Sequence, residues 1–161
     1  MDEIDAKIMD LLQTDARLSN RELARRLGVA PSTCLERIRV LTRRGVIRGY
    51  HADISLPALN RGVQALVAVK LRTPARAAID GFKEFASRLP EVISVFVVAG
   101  DDDFLVHVGV QDLDHLHAFL VDRLSSRPDI AGFRTSVVFE ETRKTKLGRL
   151  ASSGAGPAAG G

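Results

Sequence analysis

The sequence predicts an α+β protein built from two units, an N-terminal winged helix-turn-helix domain followed by a ferredoxin-like βαββαβ domain. Three observations predict it. Apolar residues recur at helical spacing up to Gly45, alternation of period two takes over from Val63, and the charge divides along the chain at the same place.

The 161 residues are 45% hydrophobic and 27% charged, enough to bury a core. Aromatics make up only 5% with no Trp, so that core must come from Leu, Val, Ile and Ala. The single cysteine, Cys34, excludes an intramolecular disulfide and a Cys-based zinc cluster, and favours a reducing compartment. The first ten residues, MDEIDAKIMD, carry acid where a signal peptide needs base, and no apolar run approaches the roughly 18 residues of a membrane span. A soluble cytoplasmic protein with no membrane partner is expected.

In the first block Ile4, Ile8, Leu11 and Leu12 share one face of a helix ending near Thr14. Ser19 and Glu22 form a capping-box pattern opening a second helix with Leu23, Ala24 and Leu27 inward, and Gly28 stops it. Pro31 suits the first position of a third helix, where Leu35, Ile38 and Leu41 give the buried stripe and Gly45 the end. Ala30 stands at the cap position and offers no side-chain acceptor. A short capped helix, a Gly-containing turn and a longer Arg-rich helix make a helix-turn-helix. Residues 46–50 and 51–54 then suggest a strand or small wing.

After Pro57 the strand pattern begins with Val63, Ala65, Val67, Val69 and Leu71; residues 92–99, 104–110 and 133–139 continue it. Between the first two lies a helical stretch with Ile79, Phe82, Ala86 and Leu89 on one side. Between the last two lies another, with Leu113, Leu116, Leu120, Val121 and Leu124. Right-handed crossovers put both helices on one face of an antiparallel sheet. Alternation through the second strand puts Ile93, Val95 and Val97 on one side and Val92, Phe96 and Val98 on the other, so the uncovered face is apolar too and predicts self-association. The expected organisation is 1–54 helix-turn-helix domain, 55–62 linker, 63–141 sheet domain, and 142–161 a basic then Gly/Ala/Ser-rich flexible tail.

From Arg17 to Arg48 there are nine arginines and two acids, a net +7, whereas residues 51–141 carry nine bases against 13 acids, a net −4. The tail adds four bases and no acid. One part of the chain is therefore suited to a polyanion and another is not.

Signals for catalysis are poor: the chain has no phosphate-binding Gly-rich loop, G-x-S-x-G elbow or H-E-x-x-H, and no enzyme activity, cofactor or metal is expected. His115 and His117 stand two apart and point to different helical faces. Cys34, inside a helix, reads as a packing residue. The loop 100–103, Gly-Asp-Asp-Asp, is either a turn or a ligand site, since exposed backbone N–H groups can take a carboxylate and Asp side chains an ammonium. RNA binding by the sheet is disfavoured, because FLVHVGV at 104–110 lacks the stacking aromatics and its domain is acidic.

Residues 23–50 (LARRLGVAPSTCLERIRVLTRRGVIRGY), 97–106 (VVAGDDDFLV) and 135–141 (TSVVFEE) make the chain resemble the Lrp/AsnC family of bacterial regulators. The resemblance implies a DNA-binding N-terminal domain and an amino-acid-sensing sheet domain, often called RAM. It also implies dimers joined sheet to sheet that commonly assemble to octamers, and effectors bound near the glycine-acid loop between dimers. Phe133-Arg134-Thr135 departs from the Thr-x-Thr many members carry there.

The expected function is transcription regulation: sequence-specific binding of double-stranded DNA by a homo-oligomer tuned by an amino-acid effector. The alternative is a ligand-sensing metabolic oligomer whose helical domain serves assembly only. Ser32, Thr33, Glu36 and Arg37 are placed at base edges, with Arg37 free of structural partners, and Arg21, Arg39, Arg43 and Arg44 at phosphates. Gly100, Asp101, Asp103 and Thr135 are the expected effector residues. Asp103 takes the ammonium, Thr135 joins from across an interface, and Phe133 biases the pocket toward apolar ligands if it faces it.

Overall fold

The computed structural model describes residues 2–150; the stretch 151–161, expected as flexible, lies outside the described residues. Helix α1 (Glu3–Thr14) begins at Asp2, whose carboxylate accepts the Asp5 N–H at 2.9 Å while Asp5 accepts the Asp2 N–H at 3.3 Å. That exchange satisfies two donors a helix start leaves open. Helix α2 (Asn20–Leu27) starts at Ser19, whose hydroxyl accepts the Glu22 N–H at 3.2 Å. The expected return bond from Glu22 is corrected. Its carboxylate instead binds Arg25 and Arg26, each at 2.7 Å, because two guanidinium donors outweigh one neutral amide.

Gly28 ends α2 at φ 67°, a left-handed conformation that disfavours any side chain. The chain turns into α3 (Pro31–Arg43) with no side-chain cap at Ala30. Leu23, Ala24 and Cys34 form the core of this unit, with Leu11, Leu12, Leu18, Leu27, Val29 and Ile38 packed around them. The buried stripe of α3 is thus Cys34, Ile38 and Leu41; Leu35, expected inside, is 38% exposed. Both triplets have helical spacing, and the docking of α2 selects the one carrying the small thiol. Beyond α3, residues 46–54 pair with no strand, so the strand expected there is not formed among the described residues.

The second unit is a four-stranded antiparallel sheet in the order β2-β3-β1-β4, made of β1 (Val63–Leu71), β2 (Val92–Val97), β3 (Phe104–Val110) and β4 (Ile130–Val138). Helices α4 (Arg76–Ser87) and α5 (Leu113–Phe119), the latter continued by a π-helical segment Leu120–Ser125, fill the crossovers. Alternation along β1 buries Ala65, Val67, Val69 and Leu71 completely or nearly so. They pack with Phe82 and Ala86 of α4, Leu116 and Phe119 of α5, and Phe104, Val106, Val108 and Val110 of β3. One cluster contains both helices, so both lie on one face.

Directly paired residues point to the same side. Val95 faces Val106 and Val97 faces Phe104, on the helix side, whereas Phe96 faces Leu105 on the open side. The register of β2 shifts between Val92 and Ser94, which returns Val92 to the helix side, packed on the core. The expectation that Val92 and Phe96 share a face is corrected by that bulge. The open face carries Leu66, Ala68, Leu105 and Phe96, the last 50% exposed.

The chain divides into two compact units at Ala52/Asp53 and again at Glu141/Thr142: residues 53–141 form the sheet unit, and the described residues from 142 on belong with α1–α3.

Just beyond the last β1–β3 pair, Val69 with Phe104, Asp103 extends the ladder with its side chain: its Oδ2 accepts the Leu71 N–H at 2.8 Å from a side chain only 14% exposed. Asp103→Ala leaves that donor unpaired and should cost about 1–3 kcal/mol in denaturant melts. Asp103→Asn, which keeps an acceptor oxygen, should retain most of the stability. Equal stability of Asp103→Ala and the parent would remove the pin.

Candidate nucleic-acid interface and effector site

Opposite the Cys34/Ile38/Leu41 stripe, Ser32, Glu36, Arg39 and Arg43 follow one another at four, three and four residues and form one exposed ridge of α3. Thr33, also exposed, stands beside it. The arginines of this unit differ in their partners. Glu22 holds Arg25 and Arg26, and those two guanidinium hydrogen bonds keep its carboxyl down at about 2, ionised at any physiological pH. Glu36 binds Arg43 at 3.0 Å and lies 3.9 Å from Arg39, all three side chains being more than half exposed. Such pairs exchange readily. Arg17, Arg21, Arg44 and Arg48 form no ion pair among the described residues.

Arg37 is different, and the expectation that it lacks structural partners is corrected. Its Nη1 lies 2.6 Å from Asp2 Oδ2 and 2.8 Å from Asp5 Oδ1, so it bridges α3 to the capping box of α1. The Asp5 N–H, then the Arg37 guanidinium, hold the Asp2 carboxyl below the usual carboxylate range. Those partners are 35 and 32 positions away, beyond the reach of any helical spacing.

In the sheet unit, the loop between β2 and β3 turns at Gly100, whose φ of +137° is one that side chains rarely adopt; a Cβ there would meet nothing within 4 Å. Asp101 is exposed. Asp102 is paired with Arg134 and Asp103 with both Leu71 N–H and, at 3.6 Å, Lys70 Nζ. Two of the loop's three carboxylates are therefore matched by bases, and sequence reading missed both because they lie on β1 and β4. The Arg134 contact brings the fourth strand to this loop within one chain. Thr135 and Phe133 pair with Val67 and Val69 on the helix side, opposite to Arg134, and Phe133 packs on the core, so it does not face the loop. Thr135, exposed on the edge strand, makes no hydrogen bond to the loop among the described residues.

At the other end of the sheet Asp112 caps α5 by accepting the His115 N–H at 2.8 Å, and His115 Nε2 lies 3.4 Å from Glu91. Arg61 donates to the carbonyls of Pro90, Glu91 and Gly109. Among the described residues no three His, Cys, Asp or Glu side chains gather as metal ligands, and no helix is long and apolar enough to cross a membrane.

Comparison with known proteins agrees with this division. Residues 1–48 match the model for a winged helix-turn-helix DNA-binding domain, and residues 64–147 match the Lrp/AsnC ligand-binding domain. The chain is 42% identical over 143 residues to the HTH-type transcriptional regulator AldR of Mycolicibacterium smegmatis, covering 89% of this chain and 84% of that protein. It is 34% identical to the leucine-responsive regulatory protein of Escherichia coli K12, covering 90% and 88% of the two chains. A crystal structure of a transcriptional regulator from Neisseria meningitidis in complex with L-Met superposes with a TM-score of 0.84 at 34% identity, over 91% of this chain and 96% of that one. With both halves matched in order, the chain belongs to the Lrp/AsnC family of transcriptional regulators.

Proposed function

We propose that this protein is a cytoplasmic transcriptional regulator that binds double-stranded DNA as a homo-oligomer and responds to an amino acid. The observation that carries the reading is the Ser32/Glu36/Arg39/Arg43 ridge, exposed along the helix that α2 and its turn present. Side chains of these types and this spacing suit one helix in a major groove, with Ser32, Thr33 and Glu36 toward base edges and Arg39 and Arg43 toward phosphates. Arg21 and Arg44, without acidic partners among the described residues, add phosphate contacts. Arg37 is assigned chiefly to holding α1 on α3. The relatives are regulators of transcription, and no catalytic step is proposed.

The open sheet face supports self-association, since pairing it with its own copy buries Leu66, Leu105 and Phe96 isologously. A dimer so formed is the unit from which higher assembly, up to an octamer, would proceed. For the effector, the loop offers the open backbone at Gly100 and the unpaired carboxylate of Asp101. Asp103, committed to Leu71, holds the loop in shape and offers only its second oxygen to an ammonium. Thr135 would join from a neighbouring copy. The L-Met bound by the Neisseria relative supports an amino acid as the ligand class.

Four variants test this reading. Arg39→Ala should weaken binding of a promoter duplex by about 1–2 kcal/mol and flatten its salt dependence by about one unit of slope while melting stays unchanged. Arg37→Ala should instead lower the melting temperature first, and equal melting with lost affinity would restore it to the DNA contacts. Phe96→Asp should dissociate or aggregate the protein in light scattering; a monomeric parent would defeat the interface. In calorimetry against the twenty amino acids, Asp101→Ala should abolish the heat that the parent gives with its ligand, and full-strength binding would reduce the loop to a turn.

A further inference from the structure

The segment 142–150, Thr-Arg-Lys-Thr-Lys-Leu-Gly-Arg-Leu, follows the sheet in sequence yet belongs with the helix-turn-helix unit. Two contacts dock it. Lys146 Nζ lies 3.1 Å from Asp10 Oδ2 on α1, and the Gln13 side-chain amide grips Leu147 on both sides, accepting its N–H at 2.8 Å and donating to its carbonyl at 3.2 Å. An amide that satisfies both backbone groups of one residue imitates a strand partner and fixes the segment's direction as well as its place. No apolar burial accompanies it: every residue of 142–150 is exposed, Leu147 at 65% and Leu150 at 89%. Polar docking without burial adds little to a core, so packing does not explain the segment.

Charge does. Up to Ala52 the chain has ten bases and seven acids, a net +3, and most of its arginines are matched by Glu22, Glu36, Asp2 and Asp5. The segment brings four bases and no acid, which raises the unit to +7 and supplies more than half of its net positive charge. Lys146 is spent on Asp10, but Arg143, Lys144 and Arg149 have no ion-pair partner among the described residues. Gln13, which holds Leu147, also lines with Arg48, Tyr50 and His51 a groove of about 800 Å³ between α1 and the segment after α3, so the strap is fastened at the edge of that groove.

We propose that 142–150 is a docked basic arm that binds the phosphate backbone of DNA, extending the contact of α3 without reading bases. The proposal rests on the DNA-binding reading above. Three exposed cations on a docked extended strap, with no helix to enter a groove, suit phosphate contacts that provide affinity independent of sequence.

The test is fluorescence anisotropy of the full chain on a random-sequence duplex of about 40 base pairs, titrated from about 50 to 200 mM NaCl. The triple variant Arg143→Ala/Lys144→Ala/Arg149→Ala should bind about tenfold or more weakly at the low-salt end. Its slope of log affinity against log salt should be smaller by about two to three, and its melting temperature unchanged. Gln13→Ala, which keeps every charge but releases the clip, should give a weaker loss of the same kind. A triple variant with the affinity and slope of the parent overturns the arm, as does one that melts lower with its slope intact, which would make the segment a structural strap. A parent that binds no duplex at any salt overturns the helix-turn-helix reading itself and the arm with it.

Discussion

The ladder between β1 and β3 ends at Val69 and Phe104, and beyond that end the Asp103 carboxylate supplies the acceptor for the Leu71 N–H that a longer β3 would have supplied. Much follows from that one bond. It draws the start of β3 against the end of β1, where the Asp103 N–H continues the ladder by donating to Val69 at 3.0 Å. It also closes the base of the β2–β3 loop, where Val98 N–H bonds the Asp103 carbonyl. With its foot clamped, the loop has only Ala99 to Asp102 in which to reverse, and the positive φ of Gly100 is the solution. A carboxylate that sequence reading assigned to a ligand thus serves first to shape the loop; the exposed Asp101 is the acid left over. The turn's geometry is what leaves Gly100 and Asp101 presented, so a turn here is compatible with the proposed ligand site.

In the helical unit the scarce acids decide how the many arginines act. Glu22 removes two guanidinium groups from the field, and Asp2 with Asp5 converts Arg37 from a surface cation into a clasp between α1 and α3. Without Glu22 the basic α2 and α3 would face each other with less compensation across a small core of Leu23, Ala24 and Cys34. The charge that remains for a polyanion is correspondingly smaller than the run of nine arginines suggests.

Sequence pattern disclosed whatever depends on local period. Val63 to Leu71 alternates and is β1 over those same residues; Ser19, Gly28 and Pro31 mark their helix ends; Phe82 and Ala86 face the core. It failed where a contact between distant residues decides. The phase of β2 slips at a bulge with no sequence signal, and Leu35 and Cys34 fit the same helical spacing equally well. Arg37, Arg134 and Lys70 all find their acids far along the chain. Asp2 and Asp5 do carry the capping spacing, three residues apart, and were legible, but Glu22 drew the motif because Ser19 precedes it. In the site the residue types were readable and the partners were not.

Glu36 on the α3 ridge shows how such partners shape recognition. In the proposed docking a carboxylate approaches a polyanion, which is unfavourable unless it meets a donor. Arg43, at 3.0 Å, is a donor the protein carries with it. An exposed base amino group, as on cytosine, is a donor only some sequences provide. Where the sequence provides one, Glu36 can turn to it and release Arg43 to a phosphate, so one match gains two charge-assisted contacts. Where it does not, the pair stays closed and the backbone contact is forgone. In that docking Glu36 would discriminate chiefly by what it refuses, and the affinity withheld from wrong sites would have to come from cations that make no such distinction.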